Sequence, residues 1–261
     1  MKIHFFKYQG TGNDFILLDN RKGEYDSLKK KQIALLCDRR FGIGGDGLIM
    51  LSEKNGFDFE MKYFNADGAP GSMCGNGGRC VTAFANALGI KKDLYSFLAY
   101  DGEHQSKMLD EGASLKMSAV KKVDSDDRAK VLDTGSPHYV LNVKDVESVD
   151  VFNRGKKIRN SANSAKKGIN VNFVENTGKN SIYVRTYERG VENETYSCGT
   201  GVTASALASA NGRNGKYDVK IKTKGGRLSV AFEKNSTGYD NIWLSGPADF
   251  VFEGTIELND K

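Results

Sequence analysis

Two cysteines of this chain stand in the same local setting. Cys74 opens Cys-Gly-Asn-Gly and Cys198 opens Cys-Gly-Thr-Gly, each just ahead of a stretch that reads as a helix. The first N–H groups of a helix lack intrahelical partners, and the aligned peptide dipoles place partial positive charge there. A thiol at such a position gives up its proton more readily than a free cysteine. The glycines that follow let backbone N–H groups come close to a bound anion, such as a carboxylate. Two such thiols suit the inversion of a stereocentre in a small amino acid. One thiolate removes the α-proton from one face, the other thiol returns a proton to the opposite face, and the roles exchange in reverse. Because that α-proton is weakly acidic, the site must also stabilise carbanion-like charge with preorganised donors and exclude water. A single cysteine at a turn reads more readily as a small buried apolar side chain. The matched pair selects the acid–base reading.

The pairing extends along the chain. Tyr63 precedes Cys74 by 11 residues and Tyr187 precedes Cys198 by 11, an offset of 124. The same offset carries Gly44 onto Gly168 and Gly102 onto Gly226, while Thr11 lines up with Thr134 at 123. Five landmarks in one register mark two homologous halves. The polar stretch Lys121-Lys-Val-Asp-Ser-Asp-Asp-Arg128 is the expected joint.

Within each half the elements that must position the cysteines read in parallel. Strands are expected at 15–18, 47–51 and 57–64, and again at 139–143, 171–174 and 182–187. Helices are expected at about 77–88, stopped by Gly89, and at about 201–210, stopped by Asn211-Gly212. Both helices are rich in Ala, Gly and Ser, so strands can surround them closely. The fold class that follows is α+β: two pseudo-symmetric lobes, each a curled, mostly antiparallel sheet around a central helix. Residues 1–119 form the N-terminal lobe, completed by a C-terminal strand at 249–261, and residues 120–248 form the C-terminal lobe. Pseudo-symmetry then sets the active site in the inter-lobe cleft, with the two thiols facing each other.

Other chemistries fit poorly. The 38 Lys and Arg against 33 Asp and Glu give a formal net charge of +5, spread along the chain without a basic run, so nucleic acid is not an expected partner. The N-terminal residues carry no apolar stretch long enough for a signal peptide or membrane span, so a cytoplasmic protein with reduced cysteines is expected. Cys74 and Cys80 are six apart and the histidines are His4, His104 and His138, a poor set for a metal. Cys80 falls inside the first helix as packing, and Cys37 has no assigned role. Gly42-Ile-Gly-Gly-Asp-Gly47 fits the dinucleotide pattern in letters, but Cys37-Asp-Arg-Arg-Phe41 precedes it and the strand-like Leu48-Ile-Met-Leu51 follows, the wrong order for that motif.

The segments Gly10-Thr-Gly-Asn-Asp-Phe15, Arg40-Phe-Gly-Ile-Gly-Gly-Asp-Gly47, Phe64-Asn-Ala-Asp-Gly68, Cys74-Gly-Asn-Gly-Gly-Arg-Cys80, Tyr187-Glu-Arg-Gly190 and Cys198-Gly-Thr-Gly201 resemble diaminopimelate epimerases and span most of the chain in the same order. The resemblance implies interconversion of LL- and meso-2,6-diaminopimelate, for lysine and peptidoglycan synthesis, with neither pyridoxal phosphate nor metal, and a possible homodimer. It implies Cys74 and Cys198 as the catalytic thiols, and Asn13, Asn65, Ser136, Asn170, Glu188 and Arg189 as holding the substrate, Arg189 as a carboxylate fork. Gly75-Asn76 and Gly199-Thr200 would present backbone donors to the carboxylate at the reacting carbon. His138 and Glu188 resemble the groups that tune the thiols. Ser136 stands where relatives commonly have Asn, Gly47 where some have Gln, and the loop Gly190–Thr195 is one residue longer than usual. The alternatives are a proline or hydroxyproline racemase, which lacks the Cys-Gly-Asn-Gly and Gly-Asn-Asp-Phe combination, a PhzF-like isomerase, which does not use this cysteine pair, and a non-enzymatic binder. For a binder, two activated thiols would be an oxidation hazard.

Overall fold

The computed structural model describes residues 1–125, 129–161, 168–210 and 212–258. In chain order the first elements are β1 (Lys2–Gly10), β2 (Asn13–Asp19), α1 (Lys30–Cys37), β3 (Gly47–Ser52), β4 (Phe59–Asn65), α2 (Gly75–Ala87), β5 (Tyr95–Ala99), β6 (Gly102–Met108) and β7 (Ala113–Met117). There follow β8 (Val123–Ser125), β9 (Ala129–Asp133), β10 (Pro137–Asn142), α3 (Val151–Arg159), β11 (Asn170–Gly178), β12 (Ser181–Glu188), β13 (Asn193–Thr195), α4 (Gly199–Ser209), β14 (Gly215–Thr223), β15 (Gly226–Asn235), β16 (Gly238–Gly246) and β17 (Asp249–Glu257). The chain divides into two compact units. One is Met1–Leu115 with the chain from Gly246 onward, and the other is Lys116–Ser245. Part of the expected joint, at 126–128, and the expected helix stop at Asn211 lie outside the described residues. Among the described residues no helix is long and apolar enough to cross a membrane.

In the first unit the sheet runs β17-β1-β2-β3-β4-β5-β6-β7, with β2–β3 and β4–β5 parallel and the other neighbours antiparallel. In the second it runs β8-β9-β10-β11-β12-β14-β15-β16, with β10–β11 and β12–β14 parallel and the rest antiparallel. The direction pattern is identical. Each parallel step needs a crossover, and the four helices supply it: α1 and α2 in the first unit, α3 and α4 in the second. The repeat seen in the sequence is therefore a repeat of strand order. Gly102 and Gly226 open the second strand of equivalent two-residue hairpins, paired with Ala99 and Thr223, at φ of 127° and 144°. Such φ values favour glycine.

The second helix of each unit is its central one. Every α2 residue from Gly75 to Ala85 is buried, and the helix touches β1, β2, β3, β4 and β6. α4 touches β9, β10, β11, β12, β14 and β15. Small side chains permit this. A Cβ on Gly77 would sit 3.2 Å from Ile49, and one on Gly78 would sit 3.1 Å from Leu115. Both helices start two residues earlier than the sequence pattern predicts, at Gly75 and Gly199, because helical geometry begins directly after each cysteine. α2 ends as predicted at Gly89 (φ 88°), where Ile90 N–H bonds Ala85 O and Gly89 N–H bonds Asn86 O. This pairing satisfies the last carbonyls of the helix.

The other face of each sheet is covered by the shorter helices α1 and α3, which the sequence pattern did not reveal. Ile33, Leu36 and Cys37 of α1 pack with Ile3, Phe5, Ile16, Leu18, Leu48 and Met50. Val151 of α3 packs with Val171, Phe173 and Tyr187. Gly155 lets α3 approach closely, since a Cβ there would lie 2.4 Å from the Cβ of Tyr187.

Candidate active site

Each unit carries one half-site, built where a central helix begins. Cys74 has an extended backbone (φ −98°, ψ 129°) and is the N-cap of α2. Cys198 (φ −116°, ψ 113°) is the N-cap of α4. Neither thiol makes a capping hydrogen bond to the backbone of its helix. The cysteine carbonyls do enter the helices, accepting from Gly78 N–H at 2.7 Å and from Val202 N–H at 2.9 Å.

In the first half-site Cys74 Sγ lies 3.7 Å from Asn13 Oδ1. Asn76 Nδ2 donates to the same oxygen at 3.2 Å, while Asn13 Nδ2 donates to Asp46 at 2.6 Å. Asn13 stands at the first residue of β2, and Gly75 and Asn76 form the first turn of α2. Asn65 is exposed at the end of β4. Arg79 lies below, fully buried. Its guanidinium donates to Asn76 Oδ1 at 3.1 Å, to Thr11 Oγ1, Gly75 O and Pro247 O at 3.3 Å. Burial pushes the Arg79 pKa down, while charge on Cys80 and Cys74 pushes it up.

An ion cluster supports Asn13 from behind. Asp14 pairs with Lys7 at 2.7 Å and with Arg39 at 2.6 Å, and Arg39 also reaches Asp46 at 2.8 Å. Burial raises the Asp14 carboxyl, but hydrogen bonds and charge from Arg39 and Lys7 outweigh it and hold the group at about 2. Gly47 has no room for any larger residue: a Cβ there would meet Phe64 O and the Tyr63 ring at 2.6 Å.

In the second half-site Cys198 Sγ lies 3.5 Å from Thr200 Oγ1. Thr200 Oγ1 is 3.2 Å from Ser136 Oγ, which is 3.0 Å from His138 Nε2. Asn170 Nδ2 donates to Ser136 Oγ at 3.0 Å, and Asn172 Nδ2 lies 3.1 Å from His138 Nδ1. The parallel pairing of His138 with Asn170 across β10 and β11 brings these side chains together. His138 is fully buried, and burial, with charge from Arg189, pushes its pKa down to about 3. It is a neutral imidazole at neutral pH. Asn170 Oδ1 accepts from Arg189 N–H at 2.8 Å, and Glu188 accepts from Thr195 at 2.9 Å. A Cβ on Gly201 would fall 2.4 Å from Asn172 Oδ1, so only glycine fits beneath the sulfur. The loop after β12 is closed by Glu192, whose carboxylate accepts from Gly190 N–H at 3.1 Å and Tyr187 OH at 3.2 Å.

The structure thus gathers Asn13, Asn76 and Gly75 about Cys74, and Ser136, His138, Asn170 and Thr200 about Cys198. Arg79 and Asn172 take part without having been assigned a role from sequence. Asn172 was within reach of a period-two reading, two residues beyond Asn170 on the same strand face. Arg79 was the one charged residue in a helix of small ones. The remaining thiols are set apart: burial pushes Cys37 and Cys80 up to about 12, so neither ionises near neutral pH.

A sequence model of diaminopimelate epimerase matches residues 5–123 and 130–251. A diaminopimelate epimerase of Flavobacterium psychrophilum is 47% identical over 256 residues, covering 97% of this chain and 100% of that protein. One from Chlorobaculum tepidum is 41% identical over 262 residues, covering 95% and 99%. Among solved structures, a PhzF-family phenazine biosynthesis protein from Bacillus anthracis superposes with a TM-score of 0.76 at 15% identity, covering 99% of this chain and 100% of that one. At that identity the likeness establishes the fold alone.

Proposed function

Because the chain belongs to the diaminopimelate epimerase family, a family of isomerases, we propose that it interconverts LL-2,6-diaminopimelate and meso-2,6-diaminopimelate by proton transfer at the thiols of Cys74 and Cys198. The observation that carries this reading is the duplicated start of a buried helix, each with a cysteine at its N-cap whose sulfur meets a polar side chain, Asn13 at Cys74 and Thr200 at Cys198. An α-proton taken by one sulfur and a proton supplied by the other inverts the carbon. Backbone N–H groups of Gly75-Asn76 and Gly199-Thr200 would hold the carboxylate at the reacting carbon, where helix starts favour negative charge as it develops. Asn13, Asn65, Ser136, Asn170, Glu188 and Arg189 would hold the remainder of the substrate, and His138 and Glu188 would tune the thiols. Thiols supply both the base and the acid, so the reaction runs without a cofactor. We place the enzyme in the cytoplasm, as a possible homodimer, making the meso isomer for lysine and peptidoglycan.

Incubation of LL-diaminopimelate with the protein in deuterated water, without added cofactor, tests the reading. Deuterium at one α-carbon of a meso product is the expected result. Unchanged, unlabelled LL isomer would overturn it, and inversion of proline in its place would assign the racemase alternative.

A further inference from the structure

We propose that Ser136 and Thr200 form a one-way hydroxyl relay, begun by the neutral imidazole of His138, that aims a hydrogen bond at the Cys198 sulfur and favours its thiolate form. This rests on the reading of Cys198 as an acid–base group.

The direction follows from atoms that can only accept. Asn172 Nδ2 lies 3.4 Å from the carbonyl oxygen of Tyr139, and Asn172 Oδ1 accepts from Thr186 Oγ1 at 2.9 Å. The amide is therefore oriented with its NH2 toward His138 Nδ1, so that nitrogen accepts. An imidazole with one accepting nitrogen is neutral and carries its proton on the other, so Nε2–H donates to Ser136 Oγ. Asn170 is fixed in the same way. Its Nδ2 lies 3.3 Å from Pro137 O and its Oδ1 accepts from Arg189 N–H, so its amide also donates to Ser136 Oγ. A hydroxyl has one hydrogen and two lone pairs. With both lone pairs of Ser136 occupied, its hydrogen goes to Thr200 Oγ1. Thr200 then turns its own hydrogen to Cys198 Sγ. A hydrogen bond to an ionised partner is about twice as strong as a neutral one, so the relay favours the thiolate over the thiol. Every hydrogen stays on its own oxygen or nitrogen, and the dipoles are already aligned before Cys198 ionises. Ser136 and Thr200 are positioning residues in this scheme.

Among the described residues, the ionisable groups at this end of the strands packed on α4 include Asp133, His138, Glu188 and Arg189, with Glu194 on the neighbouring β13 and Lys224 and Arg227 about the β14–β15 turn, whose Gly225 N–H donates to Tyr196 O at 2.9 Å. All remain in the variants below, so a difference between variants reports on the hydroxyls.

The test is the pH dependence of Cys198 alkylation by iodoacetamide, read by mass spectrometry on the intact chain without substrate. Thr200→Val should move the midpoint up by about one pH unit, a roughly tenfold slower reaction near neutral pH. Thr200→Ser should restore the original profile, Ser136→Ala should move it up by less than Thr200→Val, and the Cys74 profile should stay in place throughout. A Thr200→Val profile that overlays the parent, a Thr200→Ser profile displaced as far as that of valine, or an unmoved Ser136→Ala profile would each overturn the relay. Because substrate is absent, these outcomes are separate from the deuterium experiment, which reads epimerisation alone.

Discussion

Asn76 Nδ2 donates to Asn13 Oδ1 at 3.2 Å, and that same oxygen lies 3.7 Å from Cys74 Sγ. Both amides are held in one orientation: Asn76 because its Oδ1 accepts from the Arg79 guanidinium, and Asn13 because its Nδ2 donates to the Asp46 carboxylate. The Cys74 sulfur therefore meets a carbonyl oxygen, which accepts from a thiol and offers nothing to a thiolate. The Cys198 sulfur meets a hydroxyl instead. Asn76→Asp should make the Cys74 setting more hostile to ionisation. It adds a buried negative charge, cancels part of the Arg79 charge and removes the donor to Asn13, and all three changes favour the thiol. The alkylation midpoint of Cys74 is expected to rise by about one pH unit or more, with that of Cys198 unmoved. A fall in the Cys74 midpoint would contradict this arrangement.

Cys74→Ala and Cys198→Ala should each lower epimerisation by at least about 100-fold, the usual contribution of a positioned acid or base. Loss of Cys37 or Cys80 should not affect turnover through chemistry, since both thiols are buried and un-ionised. Proton NMR of the LL and meso isomers follows the conversion. Ordinary turnover in either of the first two variants would remove that thiol from the mechanism.

Arg79→Met keeps much of the apolar stem but abandons three buried acceptors, Asn76 Oδ1, Thr11 Oγ1 and Gly75 O, and the half-buried Pro247 O. Each stranded acceptor costs about 1–3 kcal/mol. Removing the desolvated charge offsets part of that, leaving an expected net loss of about 3 kcal/mol. The urea midpoint should drop accordingly. A midpoint equal to or above the parent's would show that the guanidinium's own desolvation outweighs its bonds.

What was legible in the sequence is what local physics dictates. A helix start is announced by the residues that form it, so Cys74 and Cys198 could be placed at helix starts before any coordinates. The equivalent glycines could be matched because a left-handed turn conformation demands them, as at Gly44 (φ 83°) and Gly168 (φ 67°). The helices α1 and α3 were not legible. Lys30–Cys37 and Val151–Arg159 span only eight and nine residues; the apolar residues of α1 form one unbroken run from Ile33 to Cys37, and α3 has a glycine inside and few apolar side chains, so neither shows a periodic signal. The network about Ser136 was hidden for a different reason. It depends on the register that pairs His138 with Asn170 and on α4 bringing Thr200 alongside, and register is a property of two strands, not of either segment alone.

Acid should destabilise the protein through His138 in a window that can be assigned. The folded imidazole is held at about 3, against 6.5 for the free group, by burial and then by charge from Arg189. Above pH 6.5 neither the folded nor the unfolded chain protonates it, and it contributes no slope. Between pH 6.5 and 3 the unfolded chain binds a proton that the folded chain refuses, so stability falls as pH falls, by up to about 1.4 kcal/mol per pH unit. Asp14 acts lower down. Its carboxyl is held at about 2 against 3.8, so its ion pairs contribute stability above pH 3.8 that is lost as pH falls toward 2. His138→Gln should therefore be less stable than the parent at pH 7, through lost packing, yet show a shallower decline from pH 6.5 to 3 and the same Asp14-linked loss below that. Urea unfolding at a series of pH values measures both curves. Parallel declines across pH 6.5 to 3 would mean that His138 takes up a proton in the folded state after all, and that the neutral ring donating to Ser136 is wrong.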